Sequence, residues 1–200
     1  MKLYYSAASP FVRKVMVVLH ETEQLEDVDI IDVHTTALDP DEALKTSNPL
    51  AKIPALSRGN GPTLYDSRVI CAYLDHRAGS NLYGRSWDTK LLEATAAGIM
   101  EAAVLMTYER RLRPENMIYE PWLEAQLNKV LGACSALNDR WMAHLKSPLD
   151  MGQIAVGCAL AYLDFRHPTS NWRHGNEALA EWFKSFESRP SMQETKPPAG

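Results

Sequence analysis

Ser9-Pro10-Phe11-Val12-Arg13, placed directly after Met1-Lys2-Leu3-Tyr4-Tyr5, is the stretch on which the fold turns. Proline at a first helical position is pre-set for a helix start, because its backbone angle fits and its missing N–H would be unpaired there anyway. Ser9 is then the N-cap, with its hydroxyl at the positive end of the helix dipole, where anions, a thiolate among them, are favoured. Met1–Tyr5 reads as a strand. Val12, Val15, Met16 and Leu19 follow at i, i+3, i+4 and i+7, the spacing of a helix with one packed face.

Working outward, the first 77 residues alternate strand-like and helix-like pieces. Val28–Val33 mixes β-branched residues with acids and reads as an edge strand. Asp39-Pro40-Asp41-Glu42 opens a short helix that Asn48-Pro49 stops. Ile53–Ser57 and Thr63–Tyr65 read as strands joined through Gly59-Asn60-Gly61-Pro62 as a hairpin, and Asp66 caps a helix that buries Val69, Ile70, Tyr73 and Leu74. The order is β-α-β-α-β-β-α. From Trp87 no strand pattern remains. Trp87–Arg113 and Tyr119–Leu145 carry apolar residues at helical spacing, and Pro114-Glu115-Asn116 separates them. Ile154–Leu163 is apolar on every face, the pattern of a helix in the middle of a bundle. Asp150-Met151-Gly152-Gln153 before it is expected to form a capping box, with Gln153 reaching back. Glu177–Glu187 is a last helix. The expectation is an α/β domain over residues 1–78 and an all-α domain over 87–200.

Composition narrows the function class. The 200 residues are 46% hydrophobic and 23% charged with net charge −4, ordinary for a globular protein and without the broad basic surface that nucleic acid attracts. Cys71, Cys134 and Cys158 are odd in number and lack a C-x-x-C pair, so neither disulfides nor a zinc site are expected. The six histidines show no metal-ligand spacing. No signal peptide and no membrane partner are expected, and the cysteine usage points to a reducing, cytoplasmic setting.

Two later segments bear on Ser9. In Asn48-Pro49-Leu50-Ala51-Lys52-Ile53-Pro54-Ala55-Leu56 a cis Pro54 would turn the Ile53 N–H and C=O outward as a free edge for an extended peptide. Lys52 beside it offers a cation to a carboxylate. In Tyr65-Asp66-Ser67-Arg68 strand gives way to helix, so N–H groups at the helix start and the Ser67 hydroxyl suit a carboxylate, while Asp66 suits an ammonium. Each segment also has a purely structural use: a cap, a loop proline, another cap.

Taken in order, Ser9, Lys52-Ile53-Pro54 and Asp66-Ser67 resemble the glutathione S-transferase family, whose pattern runs from a serine, cysteine or tyrosine near the first helix through K-[IV]-P to [ED]-S. Gly98-Ile99-Met100-Glu101-Ala102, Ile154–Arg166 and Arg189-Pro190-Ser191 extend the resemblance over essentially the whole chain, to bacterial, serine-using members. It implies a thioredoxin-like first domain and a helical second domain that receives the electrophile. It also implies glutathione as co-substrate with no metal, a role in detoxification, and a homodimer in which Glu101 could reach the neighbour's γ-glutamyl ammonium.

Carried over by residue, Ser9 serves the glutathione sulfur, with Phe11 beside it. Ile53 pairs by its backbone with the cysteinyl unit next to cis Pro54. Asp66 and Ser67 hold the γ-glutamyl head, and Lys52 lies near a carboxylate or carbonyl. Arg13, one turn after Ser9, is expected to be structural. Ser9 stands where some relatives have cysteine, which argues against mixed-disulfide chemistry. Tyr4 and Tyr5 lie near the place of the tyrosine donor in other members. Candidates for the second-substrate pocket are Met100, Ala103, Tyr108, Arg111 and Trp172, with a small hydrophobic electrophile as partner. Conjugation, peroxide reduction, isomerisation or dehalogenation, and a glutathione-binding module without turnover all remain open at this point.

Overall fold

The computed structural model describes residues 1–84 and 86–198, and the chain divides into two compact units. The first runs from Met1 to Tyr83 and takes in the segment from Pro190; the second runs from Gly84 to Arg189. The sequence boundary had given residues 190 onward to the helical domain. They belong instead with the first, because α9 (Pro190–Glu194) packs on α1 (Pro10–Glu21).

In the first unit β1 (Lys2–Tyr5) is the central strand, between β2 (Asp29–Asp32) and β3 (Ala55–Ser57). It pairs parallel with β2, Leu3 opposite Ile30, and antiparallel with β3, Leu3 opposite Leu56. A parallel neighbour requires a crossover, which α1 supplies. Leu3 and Leu56 are wholly buried, as are Val12, Val15 and Leu19 of α1 and Ile70 and Leu74 of α3 (Ser67–Ala78), which packs on α1. The short α2 (Glu42–Ser47) is capped by Asp41, whose Oδ1 accepts from Leu44 N–H at 2.8 Å. Gly79 ends α3 in the left-handed region (φ 65°), which lacks a Cβ penalty only for glycine.

Two expected strands are shorter than the pattern suggested. Pro54 cannot donate to a ladder, so β3 starts at Ala55 and not Ile53. The expected strand over Thr63–Tyr65 reduces to one antiparallel bridge, Leu56 with Leu64, closed by two 2.9 Å hydrogen bonds. Pro62 has no N–H to extend it, and its carbonyl accepts from Arg58 Nε at 3.2 Å.

Among its described residues the second unit has helices and no strand. It comprises α4 (Trp87–Leu112), α5 (Glu120–Arg140), α6 (Met142–Leu145), α7 (Met151–Arg166) and α8 (Glu177–Glu187). The single helix expected over Tyr119–Leu145 breaks at Trp141 into α5 and α6. As expected, α7 is the central helix: every residue from Met151 to Leu163 is buried. It runs parallel to α4, since Thr89 meets Asp150 at one end (2.7 Å) and Thr107 meets Tyr162 at the other (3.3 Å). Glycines permit the closest approaches: a Cβ at Gly152 would lie 2.8 Å from Leu92 Cβ, and one at Gly157 would lie 2.5 Å from the Phe186 ring of α8. By length and composition α4 could cross a membrane, but half of its apolar window is buried against the bundle.

Gln153 does not make the reciprocal capping-box bond. Asp150 Oδ1 caps α7 by accepting from Gln153 N–H at 3.0 Å. The Gln153 amide instead donates to carbonyls of the preceding loop, His144 at 3.2 Å, Ser147 at 3.1 Å and Pro148 at 2.9 Å. Its neutral amide ties that loop down where the reciprocal bond would have served only the cap.

Candidate active site

The register of the first unit brings its three informative segments to one end of the sheet. β1 and β3 are antiparallel with Tyr4 opposite Ala55, so the exit of β1 toward Ser9 lies beside the entry of β3 at Ile53-Pro54. Leu64 lies antiparallel across from Leu56, which carries Asp66 back to the level of Pro54. Stretches far apart in sequence thus share an edge because of two strand reversals.

Each segment presents groups the fold does not use. Ser9 is half-buried, and its Oγ accepts from Val12 N–H at 3.3 Å as the N-cap of α1. Acceptance uses a lone pair, so the hydroxyl hydrogen stays available to donate outward. Phe11, the next side chain on this turn, is also partly exposed. The Ile53–Pro54 bond is cis, as the resemblance implied, and the Tyr65–Asp66 bond is cis as well. Among the described residues, Ile53 N–H and C=O pair with no other backbone group. Lys52 is exposed, and its carbonyl accepts from Asn48 Nδ2 at 2.8 Å.

At α3, Asp66 Oδ1 accepts from Arg68 N–H at 2.9 Å, and Oδ2 accepts from the Arg68 guanidinium at 3.0 Å. Burial pushes the Asp66 carboxyl up. The Arg68 hydrogen bonds, with the charges of Arg68 and Lys14, outweigh this and hold it below its ordinary value. Ser67 is 3% exposed, yet its hydroxyl takes no protein partner among the described residues, and its N–H is one of the orphan donors of a first turn. The end of the sheet therefore offers a hydroxyl donor, a free backbone edge, and a carboxylate beside a hydroxyl and an N–H.

The family patterns described as "Glutathione S-transferase, N-terminal domain" and "Glutathione S-transferase, C-terminal domain" match residues 3–82 and 120–185. A crystal structure of a glutathione transferase family member from Pseudomonas fluorescens Pf-5, with bound glutathione, is 46% identical over 98% of each chain, with a TM-score of 0.96. This chain belongs to the glutathione S-transferase family. A second structure of a family member from that organism holds S-(propanoic acid)-glutathione. It is 44% identical over 99% of this chain and all of the other, with a TM-score of 0.91. The uncharacterized GST-like protein YibF of Escherichia coli (strain K12) is 29% identical over 99% of both chains.

In this family member the tyrosines near Ser9 have other engagements. Tyr4 Oη accepts from Ser47 Oγ at 2.7 Å. Burial, and then the Asp32 carboxylate, push the Tyr5 phenol above its ordinary value. Three of the second-substrate candidates are core residues of the helical unit. Met100 and Ala103 are wholly buried, and Trp172, 1% exposed, donates its indole N–H to Asp164 at 2.9 Å and packs edge-on to Phe183. Helical spacing looks the same for a core stripe and a pocket stripe. Tyr108 is half-buried and Arg111 exposed, so these two do present surface.

Asn48 was read from the sequence only as a helix stop, and it does more. At 1% exposure it accepts from Leu50 N–H at 3.0 Å, holds the Lys52 carbonyl, and through its own carbonyl receives Ala51 N–H at 2.8 Å. It thereby shapes the approach to Ile53. Asparagine between a short helix and proline was the available signal. Lys14 was also missed: it is wholly buried and its charge reaches Asp66. Cys134, by contrast, is an inert core thiol that burial pushes up to about 12.

Proposed function

We propose that the chain is an enzyme that binds glutathione at this sheet end and joins its sulfur to a small electrophile, with Ser9 donating to the thiolate. The observation that carries the reading is the Ser9 cap, engaged as an acceptor and free as a donor, at the same sheet end as Ile53 and Asp66-Ser67. Ile53 would pair with the cysteinyl backbone, Asp66 would take the γ-glutamyl ammonium, and Ser67 would take its carboxylate through the hydroxyl and N–H. Lys52 would serve a second carboxylate, and Phe11 would flank the sulfur. The relatives crystallised with glutathione and with an S-substituted glutathione support both halves of the proposal.

The chemistry is a shift in acidity. A free thiol of pKa about 8.5 is ~3% thiolate at neutral pH; lowering it by about two units, worth ~2.7 kcal/mol, gives ~75%. A serine O–H bond to the anion and the positive end of α1 act in that direction. The thiolate then forms the new carbon–sulfur bond, or attacks a peroxide oxygen, with the leaving group carrying off the electron pair. A hydroxyl in place of a cysteine thiol favours these steps over mixed-disulfide exchange. The helical unit would receive the electrophile, with Tyr108 and Arg111 as its accessible candidates.

The Ser9→Ala variant tests the reading: glutathione still binds by calorimetry, while the ultraviolet absorbance of bound thiolate at neutral pH falls by most of its amplitude. An unchanged absorbance overturns the role of Ser9. Turnover on an aryl halide, a peroxide and a cis-enone acid separates the transferase from a binding module, which would bind glutathione tightly and turn over none of them.

A homodimer is part of this proposal. Along α4, Trp87, Leu91, Ala94, Gly98 and Leu105 form an exposed stripe at intervals of three, four and seven residues, with Glu101 within it. Trp87 is 78% exposed and Leu91 54%. Such an apolar, coiled-coil-spaced stripe suits a second copy of the chain. Sedimentation equilibrium is expected to give twice the 22.5 kDa chain mass, and a monomer mass would remove this part of the proposal.

A further inference from the structure

Across the first and second turns of α1, the consecutive residues Val12, Arg13, Lys14 and Val15 are all buried. At about 100° per residue, four consecutive positions span the full circumference of a helix, so this turn is enclosed on every side. An arginine and a lysine inside such an enclosure need partners, and the partners of Arg13 come from the far end of the chain. Arg13, 6% exposed, donates from Nη2 to the Met192 carbonyl of α9 at 2.9 Å and from Nε to Thr195 Oγ1 at 3.4 Å. Thr195 in turn donates to the Ser191 carbonyl at 2.7 Å. Two turns further along α1, Glu21 Oε1 accepts from Ser191 Oγ at 2.5 Å. Met192, between these clamps, is wholly buried. The segment from Ser191 to Thr195 therefore fastens α1 at two points of one face.

The first fastening lies one turn from Ser9. Arg13 N–H donates to the Ser9 carbonyl at 3.0 Å, closing the turn whose other end is the Val12 N–H bond to Ser9 Oγ. Ser9 N–H also donates to the Ser6 carbonyl at 3.1 Å, but the bond to the Ser9 side chain and the bond to its carbonyl both originate in the enclosed turn, so the direction of the Ser9 hydroxyl depends on how firmly that turn is held. A serine hydroxyl on a short side chain has little means of its own to hold a direction. We propose that Arg13 is a positioning residue for Ser9, acting through α9, so that the Ser191–Thr195 segment is part of the apparatus that activates the glutathione thiol.

The proposal rests on the assignment of Ser9 as thiol partner, and the test separates the two. Bound glutathione is titrated by thiolate absorbance in the wild-type chain and in Ser9→Ala, Arg13→Met and Arg13→Lys, with thermal unfolding and with glutathione affinity at about pH 5, where the sulfur is a thiol throughout. For Arg13→Met the thiolate midpoint is expected to rise by about one unit, a tenfold loss of thiolate on the acid side of the midpoint, with low-pH affinity within about threefold of wild type. Lysine can reach the Met192 carbonyl but lacks the planar fork that serves two acceptors, so Arg13→Lys is expected to shift about half as far. A residue that merely stabilises the fold lowers the unfolding temperature and leaves the midpoint in place; a folded Arg13→Met chain with the wild-type midpoint overturns the proposal. Should Arg13→Met fail to fold, Arg13→Lys decides by the same criterion. An unmoved midpoint in Ser9→Ala removes the Ser9 assignment itself. A moved Ser9→Ala midpoint with unmoved Arg13 variants removes only the strap.

Discussion

Asp66 and Asp150 do the same local job at the starts of α3 and α7, and the groups around them differ. Asp150, with its side chain 16% exposed, spends both oxygens inside the helical unit. Oδ1 takes Gln153 N–H at 3.0 Å, while Oδ2 takes Thr89 Oγ1 at 2.7 Å and lies 2.6 Å from His144 Nε2. The Asp66 side chain is 55% exposed, and among the described residues its carboxylate bonds to Arg68 alone, two residues away. The residue after Asp150 is an apolar core methionine, whereas the residue after Asp66 is a buried serine whose hydroxyl has no partner among the described residues. A cap whose acceptors are used up by the fold is there for the fold. A cap that leaves donors and charge facing outward has capacity for a ligand. The motif is the same in both cases, and what distinguishes them is the bookkeeping of hydrogen bonds around it.

Removing the two caps should therefore separate stability from binding. Asp150→Ala loses the α7 cap and strands the buried Thr89 hydroxyl and the His144 ring nitrogen, so unfolding in urea is expected to require about 3 kcal/mol less. Ser67→Ala removes a hydroxyl with no partner among the described residues, so its stability cost should stay near or below about 0.5 kcal/mol, with glutathione affinity down about tenfold, or ~1.4 kcal/mol. Equal losses of stability in the two variants, or an unaltered affinity in Ser67→Ala, would break the contrast.

The capping residues were legible because a helix start is written locally: Ser9-Pro10, Asp66 and Asp150 all cap as their positions suggested. The central helix α7 was legible too, because a charge-free run permits few other placements. What could not be read directly was convergence. That Ser9, Ile53 and Asp66 share a sheet end follows from the pairing of Tyr4 with Ala55 and of Leu56 with Leu64, and register is a tertiary property. The resemblance supplied that arrangement indirectly. The helical unit was less legible still: Met100 and Ala103 carry the spacing of a packed face, which does not say whether the face meets another helix or a ligand. Arg13 was read as structural, but its partners Met192 and Thr195 lie nearly the whole chain away, beyond any local pattern.

The smallest expected effect sharpens the Asp66 side of the contrast by pH. Desolvation raises the Asp66 carboxyl, but the hydrogen bonds and charge of Arg68, helped by Lys14, bring it below its ordinary value of 3.8. A carboxyl with a lowered folded pKa binds its proton later than the unfolded chain does. Its contribution to stability is thus complete above the ordinary carboxylate range and disappears as pH falls through the lowered value. More than half of the side chain is exposed, so solvent screens the interaction and the contribution stays small. The urea midpoints of wild type and Asp66→Asn are accordingly expected to keep a constant small separation from neutral pH down to about pH 4, and to converge only below it. Convergence already around pH 5 to 6 would mean that the Arg68 contacts do not hold the carboxylate in its charged form. The ammonium-binding role proposed for Asp66 would then lose its electrostatic basis at mildly acidic pH.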